Sequence, residues 1–270
     1  MLPRVDLIRG EENNWLLMNN RDHITDFIRK NGFWGHVETT IGKAFLANRP
    51  NSNTLDVGAN IGGFTLPISK FVSSFGGRVF SFEPQRIVFQ QLCANIFLNN
   101  LDNVYTHNLA LGDKNCKIKI PELNFWESQN VGGFSVDPQI RKNMDNDALM
   151  GKISPNKESA NQYSVEQRTL DSLHLEFEIN LIKVDVEGFE LEFFVGASET
   201  IQKNNFPPII FELWSGIPWY EEKAERTKRT LIELGYSFNE FGGEILAQHP
   251  GHAVQCIIDR NGNNINLSIA

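Results

Sequence analysis

The feature that most restricts this chain is the run Thr54-Leu-Asp-Val-Gly-Ala-Asn-Ile-Gly-Gly-Phe-Thr-Leu66. A short apolar stretch passes into closely spaced glycines and then into Phe64 to Phe75, where apolar residues recur at helical spacing. Gly58 and Gly62 allow positive φ and let a ligand approach the backbone closely. A strand, tight turn and helix in this order belong to a parallel sheet, whose ligands bind outside the carboxyl ends of the strands.

The rest of the chain repeats the pattern. Apolar runs at Asn53 to Val57, Arg78 to Phe82, Val104 to Leu109, Leu181 to Val186, Ile209 to Leu213 and Ala253 to Asp259 read as strands. Ile87, Val88, Leu92, Ile96 and Leu98 suit a helix between the second and third of these, stopped by Asn99-Asn100. The alternation predicts an α/β fold with a doubly wound sheet. Residues 1–50 read as a separate N-terminal helical cap, with Ile24, Phe27 and Ile28 on one face and Gly32 closing it. Residues 51–270 form the main domain. Within it, Cys116 to Ile120 alternates like a hairpin strand, and the polar segment at about 121–164 is expected to be a mobile loop or binding flap.

Composition narrows the partners. Lys and Arg number 25 against 33 Asp and Glu, a formal charge of −8. The basic residues are scattered, and the densest run, Lys223 to Arg229, also carries Glu225, so no stripe suits a nucleic-acid backbone. No stretch approaches the roughly 18 uncharged apolar residues of a membrane helix, and Asp6 and Arg9 interrupt the place of a signal peptide. A soluble, cytoplasmic chain is expected. Cys93, Cys116 and Cys256 lack metal-site or disulfide spacing and are expected as small buried hydrophobes. The 20 Phe suggest core filling, and the Asn excess has no structural reading.

Two signals carry chemistry. A dinucleotide fingerprint wants Gly-x-Gly-x-x-Gly, whereas the loop here reads Gly58-x-Asn60-x-Gly62. Asn60, with Asp56 beside it, suits a ligand whose amino acid end needs hydrogen bonds, as in S-adenosylmethionine. One βα unit later the second strand ends in Glu83-Pro84, where a carboxylate can accept from both ribose hydroxyls.

With these residues the chain resembles the FkbM family of S-adenosylmethionine-dependent methyltransferases. Glu83, Pro84, Phe89, Leu92, Asn95, Leu98 and Asn99 match the family's run after the second strand, and Asn108-Leu-Ala-Leu-Gly-Asp113 its third-strand ending. Arg168-Thr-Leu-Asp-Ser-Leu173, Ile182-Lys-Val-Asp-Val-Glu-Gly-Phe-Glu190, Gly196-Ala197 and Pro208-Ile-Ile-Phe-Glu212 follow in order. The resemblance implies the class I methyltransferase fold, a Rossmann-like seven-stranded sheet, and methylation of a hydroxyl on a small molecule, sugar or glycan. It places the methionine part of the cofactor on Asp56, Gly58, Ala59, Asn60 and Gly62, the ribose on Glu83 beside Pro84, and the adenine near Asn108 and Ala110. Asp185 then lies by both cofactor and acceptor, and Glu187 beside it.

Methyl transfer to a hydroxyl needs a proton acceptor within hydrogen-bond reach. Asp185 is the first choice by strand position, with Glu187, Glu212 and His107 as alternatives. Asp185 and Glu187 could instead simply end the strand and cap the next helix, and Glu190 could pair with Lys183 or Arg168. The acidic group could also hold Mg²⁺, but a complete oxygen shell is not evident and no metal is assigned. Trp214, Trp219, Tyr220, Phe125 and Trp126 are candidates to frame the acceptor. A nicotinamide-dependent oxidoreductase and an inactive cofactor-binding module are the rival readings.

Overall fold

The computed structural model describes all residues except 1, 11, 21, 129, 148–157, 242, 262, 263 and 270. The chain opens with an antiparallel hairpin of β1 (Val5–Arg9) and β2 (Asn14–Met18), followed by helices α1 (His23–Asn31) and α2 (His36–Leu46). The expected helical cap thus has its two helices preceded by a strand hairpin. Period-two burial drives the hairpin, since Trp15 and Leu17 of β2 point inward and are buried.

The hairpin is tied to the domain by amides of α4 (Arg86–Leu98) and its cap. The Leu16 amide donates to Asn95 Oδ1 at 2.7 Å, the Asn14 amide to Asn99 Oδ1 at 2.8 Å, and Gln91 Nε2 to the Leu16 carbonyl at 2.8 Å. These side chains satisfy the backbone of β2 much as another strand would. Part of the Asn excess therefore has a structural purpose.

Between the hairpin and α4 lie β3 (Asn53–Val57), α3 (Thr65–Ser73) and β4 (Arg78–Phe82), close to the expected bounds. After α4 come β5 (Val104–His107), β6 (Ala110–Leu111), β7 (Cys116–Leu123), α5 (Pro138–Asn146) and β8 (Glu158–Arg168). The third strand is shorter than expected, because the chain leaves the main sheet after His107 and β6 joins β7 and β8 in a separate three-stranded sheet. The polar segment is accordingly a β7–β8 ribbon carrying α5, and the part at 148–157 lies outside the described residues. Then follow β9 (Leu181–Val184), the helix Glu190–Lys203, β10 (Ile209–Glu212), the helix Glu221–Glu233, β11 (Ser237–Phe241) and β12 (Glu244–Gln248).

The main sheet has seven strands in the order β11-β12-β10-β9-β3-β4-β5. The five from β10 to β5 run parallel, and β12 inserts antiparallel between β10 and β11. Hydropathy did not point to β11 and β12, whose residues are a hairpin around Phe241 with polar positions between. The run expected at Ala253 to Asp259 is instead β13 (Cys256–Asn261), paired with β14 (Asn264–Ile269) in a ribbon apart from the main sheet.

The strand β3 is buried along its whole length. The chain proceeds outward from β3 to β4 and β5, then returns to lay β9 on the other side of β3. This reversal creates a crevice at the carboxyl ends of β3 and β9, the place where open α/β sheets bind ligands.

Candidate active site

A cavity of about 330 Å³ opens at that crevice. Its walls include Asp56 of β3 with Gly58, Ala59 and Asn60 from the first turn, Glu83, Pro84 and Gln85 after β4, Ala110, Asp185 and Glu187 after β9, and Glu212 at the end of β10. Ten of the expected site residues therefore meet at one place. Gly62 and Asn108 do not reach its wall. Gly62 shapes the turn instead, donating to the Ala59 carbonyl at 2.9 Å with φ of 101°. Asn108 is exposed and its amide donates to the carbonyls of Glu83 and Pro84 at 2.8 and 3.0 Å, fixing the backbone beneath the ribose candidate.

Strand register explains the floor. Asp56 of β3 stands level with Ser81 of β4 and Lys183 of β9, so the three side chains share one face of the sheet. Asp56 is buried and accepts a hydrogen bond from the Thr65 hydroxyl at the start of α3, which also bonds Ser81. Burial pushes its carboxyl up to about 6, against the Thr65 hydrogen bond and Lys183, which favour the charge. Above it, Gly58 at φ 83° packs against the next loop: a methyl there would sit 1.8 Å from the Asp185 carbonyl oxygen. Only glycine fits that approach.

Glu83 is the second anchor. Its two carboxylate oxygens accept from the amides of Asn60 at 2.9 Å and Gln85 at 2.8 Å, joining the first turn to the second. Asn60 holds a left-handed φ of 49° there. Burial raises Glu83 to about 7 despite those two donors, with Asp56 and Asp185 adding like charge. Each oxygen keeps a lone pair for a ligand hydroxyl.

The third group is acidic. Asp185, Glu187 and Glu212 each offer a carboxylate oxygen, all within 4.8 Å of one another. Glu187 sits at φ 52°, a left-handed conformation uncommon outside glycine. Burial, then the neighbouring carboxylates, raise Glu187 and Glu212 well above the ordinary range. Glu244 of β12 is raised to about 8 by burial, opposed by Lys183 and reinforced by Asp185 and Glu38. Lys183 lies beneath them with its side chain 7% exposed, its Nζ 3.2 Å from Asp185 and 3.8 Å from Glu244. Burial opposes its charge, but Asp185, Glu244 and Asp56 together raise it above its ordinary value and hold it protonated.

Capping of the next helix falls to neither Asp185 nor Glu187. Glu190 accepts from the amides of Val186 and Gly188 at 3.3 and 3.2 Å and from the Tyr220 hydroxyl at 2.9 Å. Its expected pairing with Lys183 or Arg168 gives way to this role in holding the turn. Lys183, Glu38 and Glu244 carried no signal as cavity residues, because each looks like an ordinary strand or helix charge until β9, α2 and β12 converge.

Two segments roof the cavity. His23, Ile24, Trp34, Gly35 and Glu38 come from the N-terminal region, and Asn130, Gly132, Phe134 and Val136 from the flap. Asp22 caps α1 through the Thr25 amide at 3.1 Å and also accepts from the Val131 amide at 2.7 Å, while Gln85 Nε2 donates to the Val131 carbonyl at 3.1 Å. Cap, flap and sheet are thereby joined at one residue.

The aromatic candidates are placed elsewhere. Phe125 and Trp126 line a separate pocket with Arg86 and Tyr163. Trp214, Trp219 and Tyr220 pack against one another edge-to-face or tilted, and Tyr220 is buried. His107 stacks on Phe82 and does not line the cavity. Of the cysteines Cys256 is buried as expected, Cys93 is partly so, and Cys116 is exposed because it begins the β7 ribbon. No helix among the described residues is long and apolar enough to cross a membrane.

Comparison with known proteins identifies the family. The family described as "Methyltransferase FkbM domain" matches residues 56–242, from Asp56 past the acidic cluster. A curated relative, "Methyltransferase 1" of Beauveria bassiana (strain ARSEF 2860), is 27% identical over 174 residues, which are 61% of this chain and 66% of that protein. Among solved structures, the FkbM methyltransferase of Methylobacillus flagellatus KT aligns with a TM-score of 0.47 at 16% identity, over 75% of this chain and 45% of that one. An S-adenosylmethionine-dependent O-methyltransferase of Thermotoga maritima aligns at 0.44 and 10% identity, over 97% and 71%. A seven-stranded class I methyltransferase sheet carries the matched motifs, and the chain belongs to the FkbM methyltransferase family.

Proposed function

We propose that the protein is an S-adenosylmethionine-dependent O-methyltransferase acting on a hydroxyl of a small molecule, sugar or glycan. The observation that carries the reading is the convergence of Glu83, the Gly58 turn and the Asp185, Glu187 and Glu212 carboxylates around one cavity. The walls suit the cofactor in charge and in hydrogen bonding. Seven carboxylates line the cavity among the described residues, Lys183 is the one lysine or arginine, and its Nζ is in hydrogen-bond geometry with no protein acceptor.

When bound, the cofactor supplies a methyl group activated on a sulfonium. The chain's own residues then have four tasks. Glu83 accepts from the ribose hydroxyls with a carboxylate already oriented by two backbone amides. Asp56, locked by Thr65, holds the turn in place for alignment. Trp34, Phe134 and Val136 close the roof and exclude water. Glu187 and Glu212 take the acceptor's proton: burial, and after it like-charge crowding, raises their basicity, and they ionise more readily opposite a positive charge. Asp185 is less suited to that last step because Lys183 already balances its charge.

The acidic trio has a spacing that a divalent cation could bridge. The ammonium of Lys183 beside Asp185 supports a metal-free reading. Incubation with methyl-labelled cofactor and a panel of hydroxylated metabolites, sugars and glycans tests the proposal. Label in a methyl ether, undiminished by chelator, is expected; label on nitrogen or carbon, or on no member of the panel, contradicts it.

A further inference from the structure

Lys183 occupies an unusual position. It is a buried lysine on a central strand, level with Asp56 across the β3–β9 pair and next to the acidic cluster on the other side. Charged groups face it from four elements: Asp56 of β3, Asp185 at the end of β9, Glu244 of β12 and Glu38 of α2. Despite that company its Nζ meets none of them in hydrogen-bond geometry. The ion-pair distances of 3.2 and 3.8 Å hold the charge in place but leave its N–H donors unspent. A buried donor without an acceptor is costly, and in a native site it marks a ligand atom or a water.

Charge selects among ligand atoms. The cofactor that the proposed function requires carries one anionic group, the α-carboxylate of its amino acid end. Every other titratable group lining the cavity among the described residues is a carboxylate or His23. Among the described residues a carboxylate entering this cavity meets seven carboxyl groups and a single cationic side chain, Lys183, to receive it. Its neighbour on the same carbon, the ammonium, needs a carboxylate close to that lysine, and Asp185 stands 3.2 Å away. The Lys183–Asp185 pair therefore presents, side by side, the two charges complementary to an α-amino acid.

We propose that Lys183 is the binding residue for the α-carboxylate of the cofactor's amino acid end, with Asp185 beside it for the ammonium. The inference rests on the proposed cofactor and goes beyond it in assigning a residue outside the glycine turn to the amino acid end. It also explains why Lys183 is tolerated inside the sheet: bound ligand supplies the acceptor that the protein withholds.

Calorimetry with two ligands separates this role from a structural one. S-adenosylhomocysteine has the amino acid end, and methylthioadenosine has the same adenosine and sulfur without it. In Lys183→Met, affinity for S-adenosylhomocysteine should fall at least tenfold while affinity for methylthioadenosine changes less than twofold, and Lys183→Arg should recover most of the loss. Equal losses for both ligands, or no loss for either, overturn the assignment while leaving the cofactor reading intact. If wild-type protein binds neither ligand, the cofactor reading fails and this inference with it. Should Lys183→Met not fold, wild-type protein decides the matter with the decarboxylated analogue of S-adenosylhomocysteine. At least tenfold weaker binding than the parent is expected, and equal affinity overturns the proposal.

Discussion

Replacing Glu83 with Gln changes the shape of the site least and its charge most. The wild-type side chain accepts from the Asn60 and Gln85 amides and offers its remaining lone pairs to the ribose. A hydrogen bond to a charged group contributes about 1.5–3 kcal/mol and a neutral one about 0.5–1.5. Exchanging two such bonds costs about 1–3 kcal/mol of cofactor affinity, roughly fivefold to 150-fold in Kd. The pH at which this is measured matters. The wild-type carboxyl titrates at about 7, so it is ionised at pH 8 and largely neutral at pH 5.5. Glutamine is neutral at both. Calorimetric titration of S-adenosylhomocysteine should thus find a wide gap between wild type and Glu83→Gln at pH 8 that narrows on acidification. Stability provides the control. A folded pKa raised above 4.5 means that the carboxyl's contribution is present at acid pH and lost as pH rises through about 7. Glu83→Gln should therefore lose less stability than wild type as pH rises through about 7, the remaining loss coming from the other buried carboxyls, although its amide must face one of the two backbone donors at a cost of about 1–3 kcal/mol. Equal affinity at pH 8, or a gap that does not depend on pH, would refute the assignment of Glu83 to the ribose.

The same linkage acts on the whole ligand-free site. Asp56 at about 6, Glu83 and Glu190 at about 7 and Glu244 at about 8 all lie above their ordinary values, so the melting temperature should fall between pH 5.5 and 8.5; a rise over that range would contradict the burial of these carboxyls. Gly58→Ala places a methyl 1.8 Å from the Asp185 carbonyl and demands φ of 83°, and should lower the melting temperature and abolish cofactor binding, both readable in one thermal-shift experiment. Asp22→Ala removes the α1 cap and the Val131 tether, and should cost about 1–3 kcal/mol in denaturant titration while raising protease sensitivity of the flap. Glu212→Gln should reduce methyl transfer by about 10²–10⁴ with cofactor affinity nearly unchanged, and undiminished transfer would move the proton acceptor elsewhere.

The legible part of this protein was its parallel sheet. β3, β4, β9 and β10 are short segments rich in Leu, Ile, Val and Phe and almost wholly buried, and such segments are visible without neighbours. The glycine turn was legible for a related reason: close approach of Gly58 to the Asp185 carbonyl excludes every side chain. β2, by contrast, is a strand whose outer backbone is satisfied by Asn95, Asn99 and Gln91, and no local pattern announces a partner about eighty residues away. β11, the edge strand, is mostly exposed and polar, and β12, buried between β11 and β10, offers only Ile245, Leu246 and Ala247 between Glu244 and Gln248. Among site residues, Glu83 and Asp185 stood at strand ends where chemistry is expected. Lys183 lies inside a strand, where a lysine reads as a misfit until Asp185, Glu244 and Asp56 are seen around it. Expectation also went astray with the aromatics, since proximity in sequence to Glu212 led Trp214 and Trp219 to a packed cluster rather than to the cavity.

The most direct test of the account is calorimetric titration of the purified protein with S-adenosylmethionine and, in parallel, with NAD. The cavity walls predict one equivalent of S-adenosylmethionine bound with micromolar affinity and no heat from NAD, whose pyrophosphate would face the carboxylates lining the crevice. Saturable binding of NAD, or no binding of S-adenosylmethionine, would contradict it.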